Sequence, residues 1–144
     1  MKVLVTALIG AALSCSAALA DDNYKPAVKV THLLKTTVTS SGDPIRYPAI
    51  PDPEVQTLIV EIPPGGETGW HMHPLPTYAY ILSGAIEVES EDGQKKLFKA
   101  GDSFAEMVGR RHDGRVVGNE PVRILVLVTG EKDKPFTVKT DPPH

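Results

Sequence analysis

Tyr78-Ala79-Tyr80-Ile81-Leu82, Ser83-Gly84, Ala85-Ile86-Glu87-Val88-Glu89-Ser90, Glu91-Asp92-Gly93 and Gln94-Lys95-Lys96-Leu97-Phe98-Lys99 follow one another without a gap. Three short apolar-rich runs are separated by turn residues, and Ile86 and Val88 alternate with Glu87 and Glu89 in the middle one. A period of two places alternate side chains on opposite faces of a strand. Asp92-Gly93 is a hairpin turn signal between two such runs. This stretch reads as strand, turn, strand, turn, strand.

The same grammar continues on both sides. Val55 to Ile62 reads as a strong strand, broken by Pro63-Pro64-Gly65-Gly66. Ala100-Gly101-Asp102 turns into Ser103 to Val108, and His112 to Val117 follows. Val122 to Val128 is almost wholly apolar, which predicts a strand covered on both faces. Val28 to Thr39 is rich in β-branched residues and ends at the turn-like Ser40 to Pro44; it predicts an extra strand in an N-terminal extension. Three prolines between Ile45 and Pro53 predict an irregular connection or a sheet edge. No stretch after residue 21 carries a 3.6-residue apolar period. Many short strands with regular turns predict an all-β sandwich or barrel. The expected organisation is a leader over residues 1–20, an extension over 21–54, a barrel over 55–130 and a tail over 131–144 that wraps the surface and frays.

With 144 residues the chain suits one domain, and 41% hydrophobic with 23% charged residues is an ordinary globular composition. A formal net charge of -3 supplies no basic field for nucleic acid or anionic lipid. Lys2, the apolar run Val3 to Leu13 and Ala18-Leu19-Ala20 before Asp21-Asp22 predict a secretory signal peptide. The apolar run is too short to span a bilayer. The expected location is the periplasm or the exterior, with acylation at Cys15 as the minor alternative. Cleavage after Ala20 would leave no cysteine, so neither a disulfide nor a thiolate ligand is expected.

Chemistry concentrates in three of the five histidines. His71 and His73 are one residue apart, so on a strand both imidazoles project from one face. His112 is the candidate for a third ligand from a neighbouring strand. Three neutral imidazoles suit iron, zinc or another divalent transition metal and leave positions open for water or a small molecule. The ordinary reading of a His-x-His pair is two surface or core histidines with hydrogen-bond roles.

The spacing around these residues resembles the two motifs of the cupin superfamily, in its small single-domain, type 2-like form. In the first, Gly65 is followed by five residues, His71-Met72-His73, three residues, Thr77, six residues and Gly84. In the second, Gly101 precedes Met107, Gly109, His112 and Val116 at the family's intervals. The resemblance implies a jelly-roll β-barrel. It also implies one divalent metal inside (iron, zinc or manganese), a small-molecule ligand and a homodimer formed through the sheets. Three family positions differ: Thr77 stands where the metal-binding glutamate would be, Met107 for the proline and Val116 for the asparagine. Some cupins, certain dioxygenases among them, lack that glutamate and hold iron by three histidines alone; this chain is similar to them in its ligands.

Glu106, on the run that leads toward His112, is an alternative source of the carboxylate; its ordinary role is an outward, solvated residue. Tyr78, Tyr80 and Arg110 are candidates for substrate binding, through a hydroxyl donor or a bidentate clamp on a carboxylate. Their ordinary readings are core or pocket wall for the tyrosines and solvated rim for the arginine. One fold hosts many chemistries. The expectation is therefore either a metalloenzyme (dioxygenase-, isomerase- or lyase-like) or a non-catalytic binding protein of the cell envelope for a metal or small ligand.

Overall fold

The computed structural model describes Lys25 and residues 27–144. The expected signal peptide and Cys15 lie outside the described residues. The chain divides into two units, residues 1–31 and 32–144, and the site belongs to the second. Nine strands and no helix occur among the described residues: β1 (Pro53–Ile62), β2 (His71–Met72), β3 (Thr77–Ser83), β4 (Ala85–Ser90), β5 (Lys95–Lys99), β6 (Ser103–Ala105), β7 (His112–Val116), β8 (Val122–Glu131) and β9 (Val138–Lys139). No helix among them is long and apolar enough to cross a membrane.

The strands form two antiparallel sheets, β1-β8-β3-β6 and β5-β4-β7-β2-β9. This is the all-β jelly roll expected, with one refinement: no ladder joins the two sheets, so the barrel is a sandwich of two open sheets. Its core lies between them. Ile81, Val122 and Val128 are the largest fully buried apolar side chains, with Ile86, Val88, Phe98 and Phe104 around them. The Phe98 and Phe104 rings stack at 3.7 Å between centroids.

Two expectations are corrected. β8 is covered on one face only: Val122, Ile124, Val126 and Val128 are buried, whereas Arg123 and Leu127 are exposed. Hydrophobicity alone does not separate a doubly covered strand from one in the middle of an open antiparallel sheet. The β-branched run over 28–39 forms no extra strand. An isolated bridge joins Val38 to Pro44, and the Ser40 amide donates to the Ala105 carbonyl at the end of β6. β-Branched residues favour strands only where a partner edge and a packed face receive them, and Val28, Val30, Leu33 and Val38 are all exposed.

The tail differs too. β8 runs on to Glu131, and the chain turns at Asp133, the one non-glycine residue with positive φ (62°) among those described. It then returns as β9 against β2.

Candidate metal centre

The sheet register brings the histidines together. His71 in β2 pairs directly with His112 in β7. Directly opposed residues of an antiparallel pair share a face. His73, two residues on, bridges Val108 and keeps the facing of His71. The ring centroids of His71 and His112 lie 4.4 Å apart, and His73 is 5.1 Å from each. One ligand-type atom from each residue falls within 4.8 Å of the others.

Each ring is oriented by the main chain. His71 Nδ1 bonds the Gly69 carbonyl at 2.7 Å, His73 Nδ1 the Phe136 carbonyl at 2.9 Å and His112 Nδ1 the Arg110 carbonyl at 3.0 Å. A carbonyl only accepts, so each Nδ1 carries the proton and each Nε2 a free lone pair. Burial pushes His73 down to about 4 and His112 down to about 3, the neighbouring histidines adding to the effect. Both are therefore neutral at pH 7, as metal ligation requires.

Glu106 does not point outward. Its amide donates to the Thr77 carbonyl at 2.8 Å, which places it beside the threonine on the adjacent strand. Its carboxyl is largely buried, and Oε2 lies 3.9 Å from His112 Nε2. Both atoms are buried without a hydrogen-bond partner. Burial raises the Glu106 carboxyl to about 7. Two facing polar atoms left unpaired in an interior cost free energy unless something binds between or beside them. A divalent cation fits that need: three imidazole lone pairs converge, and a hard oxygen donor stands next to them.

A cavity of about 370 Å³ opens on this group, lined by His71, His73, Thr77 and Glu106 with Ile124, Val126 and Phe136 among its apolar walls. Tyr78, Tyr80 and Arg110 do not line it. Tyr78 and Tyr80 alternate with the buried Thr77, Ala79 and Ile81, so they face the other side of β3. The Tyr78 hydroxyl donates to that of Tyr47, and burial with this neighbour raises it to about 12. Tyr78 instead lines a second cavity of about 330 Å³, which reaches Thr77 and Glu106 from the side of Asp43 and Arg46. The Arg110 guanidinium pairs with Asp43, Glu91 and Asp92, leaving its carbonyl as the part that serves the site.

The sequence reading missed the tail's part in the site. Phe136 supplies the His73 acceptor, stacks on the His73 ring at 6.0 Å and lines the cavity with Thr137. The available signal was Phe136 itself, a lone aromatic before Thr137-Val138 in an otherwise polar segment.

The family model described as Cupin domain matches residues 58–128 and supports placement in the cupin superfamily. No curated protein sequence matches the chain. Among solved structures, the chain is similar to the DMSP lyase DddQ from Ruegeria pomeroyi DSS-3, with 27% identity and a TM-score of 0.53 over 61% of this chain and 44% of that one. An oxalate decarboxylase from Bacillus subtilis, in a structure describing its Mn(II) centres, matches at 23% identity and a TM-score of 0.51, over 59% of this chain and 23% of that one. A Klebsiella pneumoniae protein with a double-stranded beta-helix domain matches at 21% identity and a TM-score of 0.52, over 65% of this chain and 89% of that one. The chain thus spans less than half the length of the two enzymes.

Proposed function

Starting from a cupin domain over residues 58–128, we propose that this protein binds one divalent metal ion through His71, His73 and His112 and acts on a small molecule in the adjoining cavity. One observation carries the reading: three Nε2 lone pairs, each oriented by a main-chain bond at Nδ1, converge inside the protein. Glu106 stands beside Thr77 and takes over the carboxylate role that threonine cannot fill. The metal is iron, zinc or manganese. Bound there, it would supply a Lewis acid that polarises a ligand oxygen. The chain's own residues do the rest. His73 and His112 stay neutral, all three imidazoles are fixed by main-chain carbonyls, Glu106 Oε2 is placed to ligate or to hold a proton beside His112, and Ile124, Val126 and Phe136 exclude water from the apolar part of a ligand. Within the enzymatic reading, the likeness to a DMSP lyase favours lyase-type chemistry over the dioxygenase and isomerase alternatives.

The test is metal content. The purified chain should carry, or take up, close to one equivalent, and a His71→Ala, His73→Ala double variant should hold none. Negligible metal in both after metal is supplied would leave a barrel that binds ligands by hydrogen bonds alone. Stoichiometric metal with no turnover across carbonyl, carboxylate and sulfonium substrates would favour the second reading, a binding protein of the envelope.

Export follows from residues 1–20 as a proposal; periplasmic material beginning at Asp21 would support it. A homodimer is proposed on the outer face of the four-stranded sheet. There the register lines up Ile59, Leu125 and Tyr80 across three strands, and Leu127 with Tyr78 one step on. Ile59 and Leu127 are exposed, and contiguous apolar surface of this kind marks interaction sites. Light scattering should give twice the chain mass, falling to one chain mass in Leu127→Glu.

A further inference from the structure

β2, the strand that carries His71, is two residues long. On one side it meets β7 through a single residue pair, His71 with His112. On the other side it meets β9 through two, His71 with Lys139 and Met72 with Val138. The Thr140 amide extends this contact by donating to the Trp70 carbonyl at 2.9 Å. β2 is thus held on both edges: β7 with its approach supplies one, through the His71–His112 pair, the bond of the Thr68 amide to the Gly114 carbonyl and the bond of the Gly109 amide to the His73 carbonyl, and residues 138–140 supply the other.

The same segment holds His73. The Phe136 carbonyl is the acceptor for its Nδ1, the Thr137 hydroxyl lies 3.4 Å from that nitrogen, and the Phe136 ring stacks on the imidazole at 15° between planes. Phe136 also packs against the main core. The path of the segment is set upstream: the Lys132 amide donates to the Asp52 carbonyl and the Lys134 amide to the Glu131 carbonyl around the Asp133 turn.

We propose that residues 135–140 are a positioning element of the metal centre, so that docking of this segment and binding of the metal are one coupled equilibrium. This rests on the three-histidine reading above. With the segment released, His73 loses the acceptor that fixes its tautomer, and β2 loses one of its two edges and becomes an edge strand held from the β7 side alone. Segments held by few main-chain bonds open most readily in native proteins, and β9 pairs through two residues only. A ligand that binds only the docked form shifts this opening by mass action. The coupling is reciprocal: whatever factor the segment adds to metal affinity, metal adds to the docking of the segment. Partners that orient a ligating histidine typically change affinity by about 10- to 100-fold.

The experiment compares hydrogen exchange of the full chain with and without zinc, alongside zinc affinity measured by competition with a chelating dye. Zinc should slow exchange of the Thr140 and neighbouring amides by about 10-fold or more, while amides of the β1–β8 ladder change little. Thr140→Pro removes the donor to Trp70 and should weaken zinc binding by about the same factor; Thr140→Ser keeps the amide and should bind as the parent does. One equivalent of zinc bound with no change in segment exchange, or with equal affinity in Thr140→Pro, overturns the coupling and leaves the metal centre standing. Failure of the parent to bind zinc at all overturns both.

Discussion

Replacing Glu106 by glutamine separates two roles of one buried carboxyl. In the metal-free protein, burial raises this group from 4.5 to about 7. A carboxyl with a raised folded pKa binds more protons folded than unfolded between those values. Its contribution to stability therefore falls as pH rises from 4.5 through 7 and is level outside that window. A shift of this size corresponds to about 3 kcal/mol at pH 8, the cost of keeping an unpaired carboxylate in the interior. Glutamine has the same shape and no charge to bury. Urea unfolding of parent and Glu106→Gln should be measured in chelator from pH 4.5 to 8.5 and the two curves subtracted, which cancels every other titration. The variant should gain on the parent across the window, ending about 3 kcal/mol ahead. With metal the variant's lead should shrink by about 1.4 kcal/mol for each tenfold of affinity lost, because Glu106→Gln gives up the anionic oxygen donor beside His112 and with it about 10-fold or more in affinity. A stability difference that stays flat with pH would show that the carboxyl is solvated or paired, and the reasoning about the site would fail.

In the metal-free Glu106→Gln variant, His73 and His112 dominate the mildly acid range: their folded values lie near 4 and 3, below the free value of 6.5. The unfolded chain takes up these protons first, so stability is full above 6.5 and is lost as pH falls toward 4, by about 2 to 3 kcal/mol per histidine; a thermal midpoint that holds steady from pH 7 to 4.5 would contradict this. Gly84 has φ +75°, and an added Cβ would meet the Pro121 carbonyl oxygen at 2.6 Å. Gly84→Ala should cost more than about 2 kcal/mol in urea unfolding, and a loss below about 0.5 kcal/mol would mean that the turn relaxes freely.

Most of the strands were legible because local pattern and tertiary role agree there. Ala85 to Ser90 alternates in sequence and in burial, and its expected bounds are those of β4. The clustering of the histidines was legible from spacing, since strand alternation fixes the facing of His71 and His73. What the local pattern did not reveal has a common origin in what lies across from a residue. The facing of Tyr78 and Tyr80 depends on which parity of β3 meets the core, which their own apolar character does not reveal. The occupation of Arg110 depends on Asp43, far away in sequence. The strand-like composition of 28–39 meets no edge to pair with, and the polar tail meets one in β2. Glu106 was legible as a candidate only; its inward aim follows from its bond to Thr77.

The groups that aim the three imidazoles are all peptide carbonyls, which has a consequence for how this site ages. An orienting carboxylate or amide side chain is lost by a single codon change, whereas a carbonyl is present whatever residue occupies the position. Arg110 and Phe136 can drift in identity and still anchor His112 and His73, provided the path of the chain is kept. Gly69 is the exception, since its φ of +72° ties the His71 acceptor to glycine. A search among distant descendants for fixed partners of the histidines would therefore find one glycine and otherwise little, although all three anchors would still be in place.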